Sequence, residues 1–212
     1  MKLFVCALLL FYASPLHAQD PDIPDYRSKK DNFAKMQEKD IRNDLSSFVI
    51  AGIDESMGKP TLRSIPMKDY GTNFMTFEGE NIRVTVKTGL FVPAKHKLSL
   101  YEEKHLVRID SKPFYGSFGT VPKTTIESIT VLIGKDTVSI PPAAFFDLYN
   151  PSFSYRDASG TERSLNAVYL SPDNRKIYIY MLNRERTGTY EVTWVIQDKK
   201  YLRRVVDFGL LK

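Results

Sequence analysis

His96 and His105 are the two histidines left once an N-terminal leader carrying His17 is set aside. With Glu102 and Glu103 they make the nearest approach to a metal-binding set. Zinc or copper needs three or four converging ligands. These two histidines are expected on opposite sides of one hairpin, so no metal and no other cofactor is expected. A serine triad would have to use one of them. Ser117, in Gly116-Ser117-Phe118-Gly119, falls one residue short of the Gly-x-Ser-x-Gly elbow. The one cysteine, Cys6, lies in the leader, so the mature chain offers no thiol nucleophile, disulfide or cysteine ligand. Glycoside hydrolysis needs two carboxylates facing each other across a cleft. Asp54, Glu55, Glu78, Glu80, Glu102, Glu103, Asp147 and Glu162 are available, but residue type alone does not pair any two of them. No glycine-rich phosphate loop or dinucleotide fingerprint follows a strand. The expectation is a non-catalytic binding or cell-envelope interaction protein. A small secreted glycan hydrolase and a periplasmic metal carrier are the alternatives.

Recognition has better candidates. Lys112 to Thr120 places Phe114, Tyr115 and Phe118 among glycines between two strand regions. Such a loop either folds its rings back on the core or presents them as a platform for sugar rings or a peptide strand. Asn183 to Thr187 carries Arg184 and Arg186, which suit an acidic partner. A glycan, a peptide or another envelope protein is the expected partner class.

These residues belong to a chain whose first eighteen residues read as a secretory signal peptide. Lys2 supplies the positive start, and Leu3 to Ala13 is an apolar run too short to span a bilayer. Ser14 to Ala18 then supplies a breaker and a small residue, with cleavage expected between Ala18 and Gln19. Export without cysteines points to a bacterial periplasm or the cell exterior and to a core that needs no staples. Removing 18 of the 212 residues leaves 194, enough for one ordinary domain. Net charge is +5, or +4 once Lys2 leaves, with 25 acidic residues mixed among 30 basic ones. That balance permits attraction to acidic glycans or anionic headgroups. Export makes nucleic acid an unexpected partner. No later segment is apolar and long enough to cross a membrane as a helix.

Three segments follow: the leader (1–18), a proline-containing lead-in (19–28), and one β-rich domain with an N-terminal helix (29–212). Phe33, Met36, Ile41, Leu45 and Phe48 fall near one helical face. Ile82, Val84 and Val86 alternate with polar residues, as in a half-buried strand. Leu98 and Leu100 begin another strand, and Val107 and Ile109 follow after the polar turn Glu102-Glu103-Lys104. Gly134-Lys135-Asp136 joins a second hairpin, and Ala143 to Leu148 follows as a helical turn. Ile177 to Leu182 is apolar on both faces, so that strand must be covered twice, inside a sandwich or under a helix. Tyr190, Val192, Trp194 and Ile196 share one face of the next strand. If Asp198 and Lys199 centre the turn after it, Trp194 faces Arg203 and Val192 faces Val205. A guanidinium stacked there on an exposed indole is worth about 0.5–1 kcal/mol.

Gly188 to Trp194 resembles the penultimate strand of immunoglobulin-like sandwiches, which implies a tyrosine-anchored corner. Copper carriers of that class bind through histidine, and a chain beginning Gln19-Asp20 lacks the amino-terminal one. Pro93 to Lys97, Ile126 to Ile140 and Tyr190 to Asp207 together resemble exported proteins of Bacteroidota that carry no assigned activity. That likeness implies envelope or secreted placement and names no catalytic position. The expected fold is mainly β, an antiparallel β-sandwich, immunoglobulin-like or related, with an N-terminal α-helix. Adjacent arginines in Tyr201 to Val206 disfavour an outer-membrane barrel, as both strand faces would be charged.

Overall fold

The computed structural model describes residues 36–50, 59–184 and 188–208. The leader with its Ala18–Gln19 junction, the lead-in, Phe33, Asp54, Glu55 and Arg186 lie outside the described residues. Strand β12, Lys176–Asn183, is buried at every position. Its side chains alternate between two apolar environments. Ile177, Ile179 and Met181 enter the main core, while Tyr178, Tyr180 and Leu182 meet the helix side. The doubly apolar sequence is thus covered twice, once by a second sheet and once by a helix.

Twelve of the fourteen strands among the described residues are needed to see why. The first sheet runs β1 (Arg63–Ile65), β11 (Ala167–Leu170), β12, β13 (Tyr190–Gln197) and β14 (Lys200–Phe208). The second runs β2 (Met67–Tyr70), β3 (Phe74–Gly79), β4 (Ile82–Leu90), β7 (Thr124–Ile133) and β8 (Asp136–Ser139). Their pairings are antiparallel, and each sheet is largely a meander of strands consecutive in the chain. Strands β5 (Leu98–Tyr101) and β6 (His105–Ile109) form a hairpin of their own between β4 and β7, and β9 (Tyr155–Arg156) and β10 (Glu162–Arg163) pair as a short ribbon. Phe77, Val84, Val131 and Val138 stand opposite one another along the second sheet. They face Val168, Ile179, Val192 and Trp194 in one shared core. Two open sheets packed face to face make an antiparallel β-sandwich.

Helix α1, Lys39–Leu45, lies on the outer face of the first sheet. Ile41 and Leu45, four residues apart, bury against Tyr178 and Tyr180, each contributing about 1.5–3 kcal/mol. Phe48 stacks on Tyr169 at 4.4 Å between ring centroids. Polar contacts ring this apolar seam. Lys176 pairs with Asp40 at 2.9 Å, the Tyr178 hydroxyl donates to Asp44 Oδ2 at 2.6 Å, and Arg203 pairs with Glu38. No described helix is long and apolar enough to cross a membrane.

The β13–β14 hairpin corrects one expectation. Asp198 and Lys199 do centre the turn, both with positive φ, and Gln197 faces Lys200. A β-bulge between Val195 and Ile196 then leaves Leu202 unpaired. Trp194 therefore faces Arg204, not Arg203, and Val192 faces Val206. A bulge moves every later side chain to the other face. Arg203 goes out to Glu38 on the helix side, and Arg204 goes inward, almost fully buried. No exposed cation stack forms at Trp194. Its indole Nε1 donates to Ala144 O at 2.7 Å instead.

Candidate functional site

Between Leu90 and Thr124 the chain leaves the second sheet and returns, making the excursion that holds the aromatic loop. Its base is closed by Phe91 N donating to Lys123 O at 2.9 Å. A 3-10 turn at Pro93–Lys95 leads into the β5–β6 hairpin. Leu106 N then donates to Gly119 O at 3.1 Å, which lays the aromatic loop beside β6. Phe91, Leu106, Ile109 and Tyr149 fill a small core beneath, with Leu98 and Phe114 packed on it. Tyr149 takes Phe91 and Phe114 edge-on, and burial pushes its phenol up to about 12.

His96 stacks on Phe91, and its Nδ1 lies 2.7 Å from Asp110 Oδ2. Asp110 Oδ1 also accepts from Lys97 N, and these bonds, His96 first, hold its carboxyl below the ordinary aspartate value. His105 opens β6 near the hairpin tip and lies next to Gly119. One histidine pins the base of the hairpin and the other stands near its tip. Among the described residues no three His, Cys, Asp or Glu side chains gather as metal ligands would.

The aromatic loop splits its three rings. Phe114 is half-buried on Tyr149, and Tyr115 is half-buried between Tyr190 and Phe208. Only Phe118 projects, 70% exposed. The reason is backbone strapping. Tyr115 N donates to Asp147 O and Tyr149 N to Tyr115 O, both at 2.9 Å, and Asn150 Nδ2 donates to Gly116 O. Gly116 has φ +95°, and a Cβ there would lie 1.9 Å from Tyr149 O. Gly188 backs against the same turn, where a Cβ would meet Ser117 N at 2.6 Å. Phe114 and Tyr115 thus fold back on the protein while Phe118 is presented, so the loop divides between the two arrangements its sequence allows.

The surface is formed by other residues. Leu90, Val92, Leu100, Tyr101, Val107, Phe118 and Val121 are exposed, seven of the ten exposed large hydrophobics among the described residues. Leu90 is 81% and Tyr101 60% exposed. Concentrated apolar exposure of this kind marks an interaction site far better than scattered single residues do. Exposed Lys95, Lys97, Lys104, Arg108 and Lys123 lie on the same excursion, and none of them forms an ion pair among the described residues. Leu90-Phe91-Val92 and Leu106-Val107 are apolar at consecutive positions, so along an extended backbone they cannot all face one core.

The remaining candidates sit elsewhere. Arg184 is exposed and lines a depression of about 180 Å³ with Phe153, Tyr155 and Leu182, none of which belongs to the excursion. Glu78 and Glu80 border one shallow depression of about 440 Å³. Glu78 is engaged by Arg83 and Lys68, whose hydrogen bonds hold it down to about 2, and Glu80 pairs with Arg63. A general acid needs a carboxyl raised toward neutrality, and this one is moved the other way. Asp147 is buried in a two-pronged pair with Arg204, at 2.5 and 2.7 Å. Burial opposes the charge on Arg204, but the Asp147 hydrogen bonds outweigh it and raise its pKa above the arginine norm. Glu162 accepts from Ser154, and Glu102 and Glu103 form the hairpin tip with positive φ. No protein-family model, no curated protein and no solved structure matches this chain.

Proposed function

We propose that this chain is an exported, non-catalytic binding module that engages the cell envelope through the outer face of the excursion between β4 and β7. The observation that carries this reading is the concentration of seven exposed apolar side chains on one rigidly mounted segment. Leaving such a surface in water costs about 25 cal/mol per Å², and covering it recovers that cost. Its mounting favours binding as well. The strapped loop and the small core hold Phe118 in place before any partner arrives, so little conformational entropy is lost on contact. Export rests on the charged start, short apolar run and small-residue junction of residues 1–18.

Retention on isolated envelopes of the producing cell tests this. The parent chain is retained, and Phe118→Ser is released while its melting temperature stays within about 2 °C of the parent's. Equal retention of both, or of neither, overturns the reading.

A further inference from the structure

We infer that the partner of this face is an anionic lipid bilayer surface, a statement that rests on the envelope-binding reading above and narrows it. The excursion exposes two chemistries together. Phe118, Tyr101 and Leu90 project from three different stretches of the excursion, the loop, the hairpin and its base. Lys95, Lys97, Lys104, Arg108 and Lys123 accompany them and are exposed without ion pairs. Exposed cations without ion pairs also stand elsewhere, Lys87, Arg156 and Lys200 among them, so the sign of the whole excursion is the relevant quantity. From Leu90 to Thr124 six lysines and arginines stand against three acids, Glu102, Glu103 and Asp110, an excess of positive charge on the segment that exposes the apolar side chains. An apolar protein partner would leave those five cations to be desolvated without compensation. A purely acidic polymer would leave the apolar side chains in water. A bilayer with anionic headgroups satisfies both at once. Rings and aliphatic tips enter the acyl boundary, while lysine and arginine stems lie along it with their charges at headgroup level.

Co-sedimentation of the full chain with vesicles tests the inference, using phosphatidylcholine alone and phosphatidylcholine mixed with phosphatidylglycerol. The expected result is binding to the mixed vesicles, weaker at high salt, and little binding to phosphatidylcholine. Phe118→Ser lowers the partition coefficient about tenfold or more, and Lys97→Ala or Arg108→Ala lowers it about fivefold each. Lys135→Ala, in the turn between β7 and β8, leaves it unchanged. The apolar run Leu3 to Ala13 would bind either vesicle whatever stands at position 118, so sensitivity to Phe118 separates the two causes. Equal binding of parent and Phe118→Ser overturns the inference. Envelope retention that depends on Phe118, with no vesicle binding, also overturns it and leaves the binding-module reading standing. Loss of both overturns both.

Discussion

Trp194 and Arg204, opposite one another on β13 and β14, donate to the same carbonyl oxygen, that of Ala144, at 2.7 and 3.3 Å. Arg204 also grips the Asp147 carboxylate with both Nη atoms. The segment from Ala144 to Asn150 is thereby tied to the inner face of the first sheet. The same segment straps Tyr115 and Gly116, so the aromatic loop is anchored through Asp147 to the sandwich core.

Removing the guanidinium therefore strands a buried carboxylate. Arg204→Ala is expected to cost about 3–5 kcal/mol in urea unfolding. Its neighbour Arg203, partly exposed in its pair with Glu38, is expected to cost within about 1 kcal/mol when replaced by alanine. Equal costs at the two positions would contradict the bulged register.

Gly116 is the second anchor. Gly116→Ala places a methyl into the Tyr149 carbonyl in a backbone conformation that L residues avoid, and is expected to cost about 2–4 kcal/mol. Gly134, also at positive φ but with nothing within 4 Å of a built Cβ, is the control. Gly134→Ala should cost about 1–2 kcal/mol, the backbone term alone. Thermal or urea melts of the two variants decide between a strapped loop and a loose one.

Phe118 and Tyr115 part company in the same assay. Tyr115→Ala removes a half-buried ring packed between Tyr190 and Phe208 and should lose about 1–3 kcal/mol of stability. Phe118→Ser should change stability by less than about 0.5 kcal/mol, as surface substitutions do. A large loss at Phe118 would mean that its ring belongs to the fold.

Asp44 supplies a pH test of the helix contact. Partial burial where α1 meets β12 raises its carboxyl above the ordinary aspartate value, despite the Tyr178 hydroxyl hydrogen bond. A raised acid is costly to the folded state once ionised, so its penalty is absent below the unfolded pKa and grows as pH rises through the folded one. Asp44→Asn keeps an acceptor for Tyr178 and loses the charge. The variant should be more stable than the parent at pH 7, and the difference should shrink on acidification and vanish once pH is below 3.8, the unfolded value. Urea titrations at several pH values measure this. A difference that grows on acidification would contradict the placement.

Much of the sandwich is legible in the residues themselves. Ile82, Val84 and Val86 alternate inward as their spacing requires, and Gly134-Lys135 turns the β7–β8 hairpin where the punctuation stands. The two-sided apolar run at Ile177 to Leu182 foretells both of its covers. A bulge has no such signature. Leu202 looks like any strand residue, yet its exclusion from the ladder decides which arginine is buried. A second bulge, between Ser99 and Leu100, helps put Leu106 inside and Val107 outside, where simple alternation had Val107 inward. The site was half visible. The aromatic loop stood out, but its orientation depends on Gly116 and on a carbonyl thirty-odd residues away at Tyr149. Exposed Leu90 and Val121 passed unnoticed because apolar residues read as core unless a missing cover is counted.

Photocrosslinking reads most directly whether the face around Phe118 meets the envelope. A benzophenone amino acid is placed at position 118, and in a second protein at position 135, each then irradiated on envelopes of the producing cell. Adducts are expected from position 118 and none from position 135. Adducts from position 135 alone, or equal yields from both, would contradict that contact.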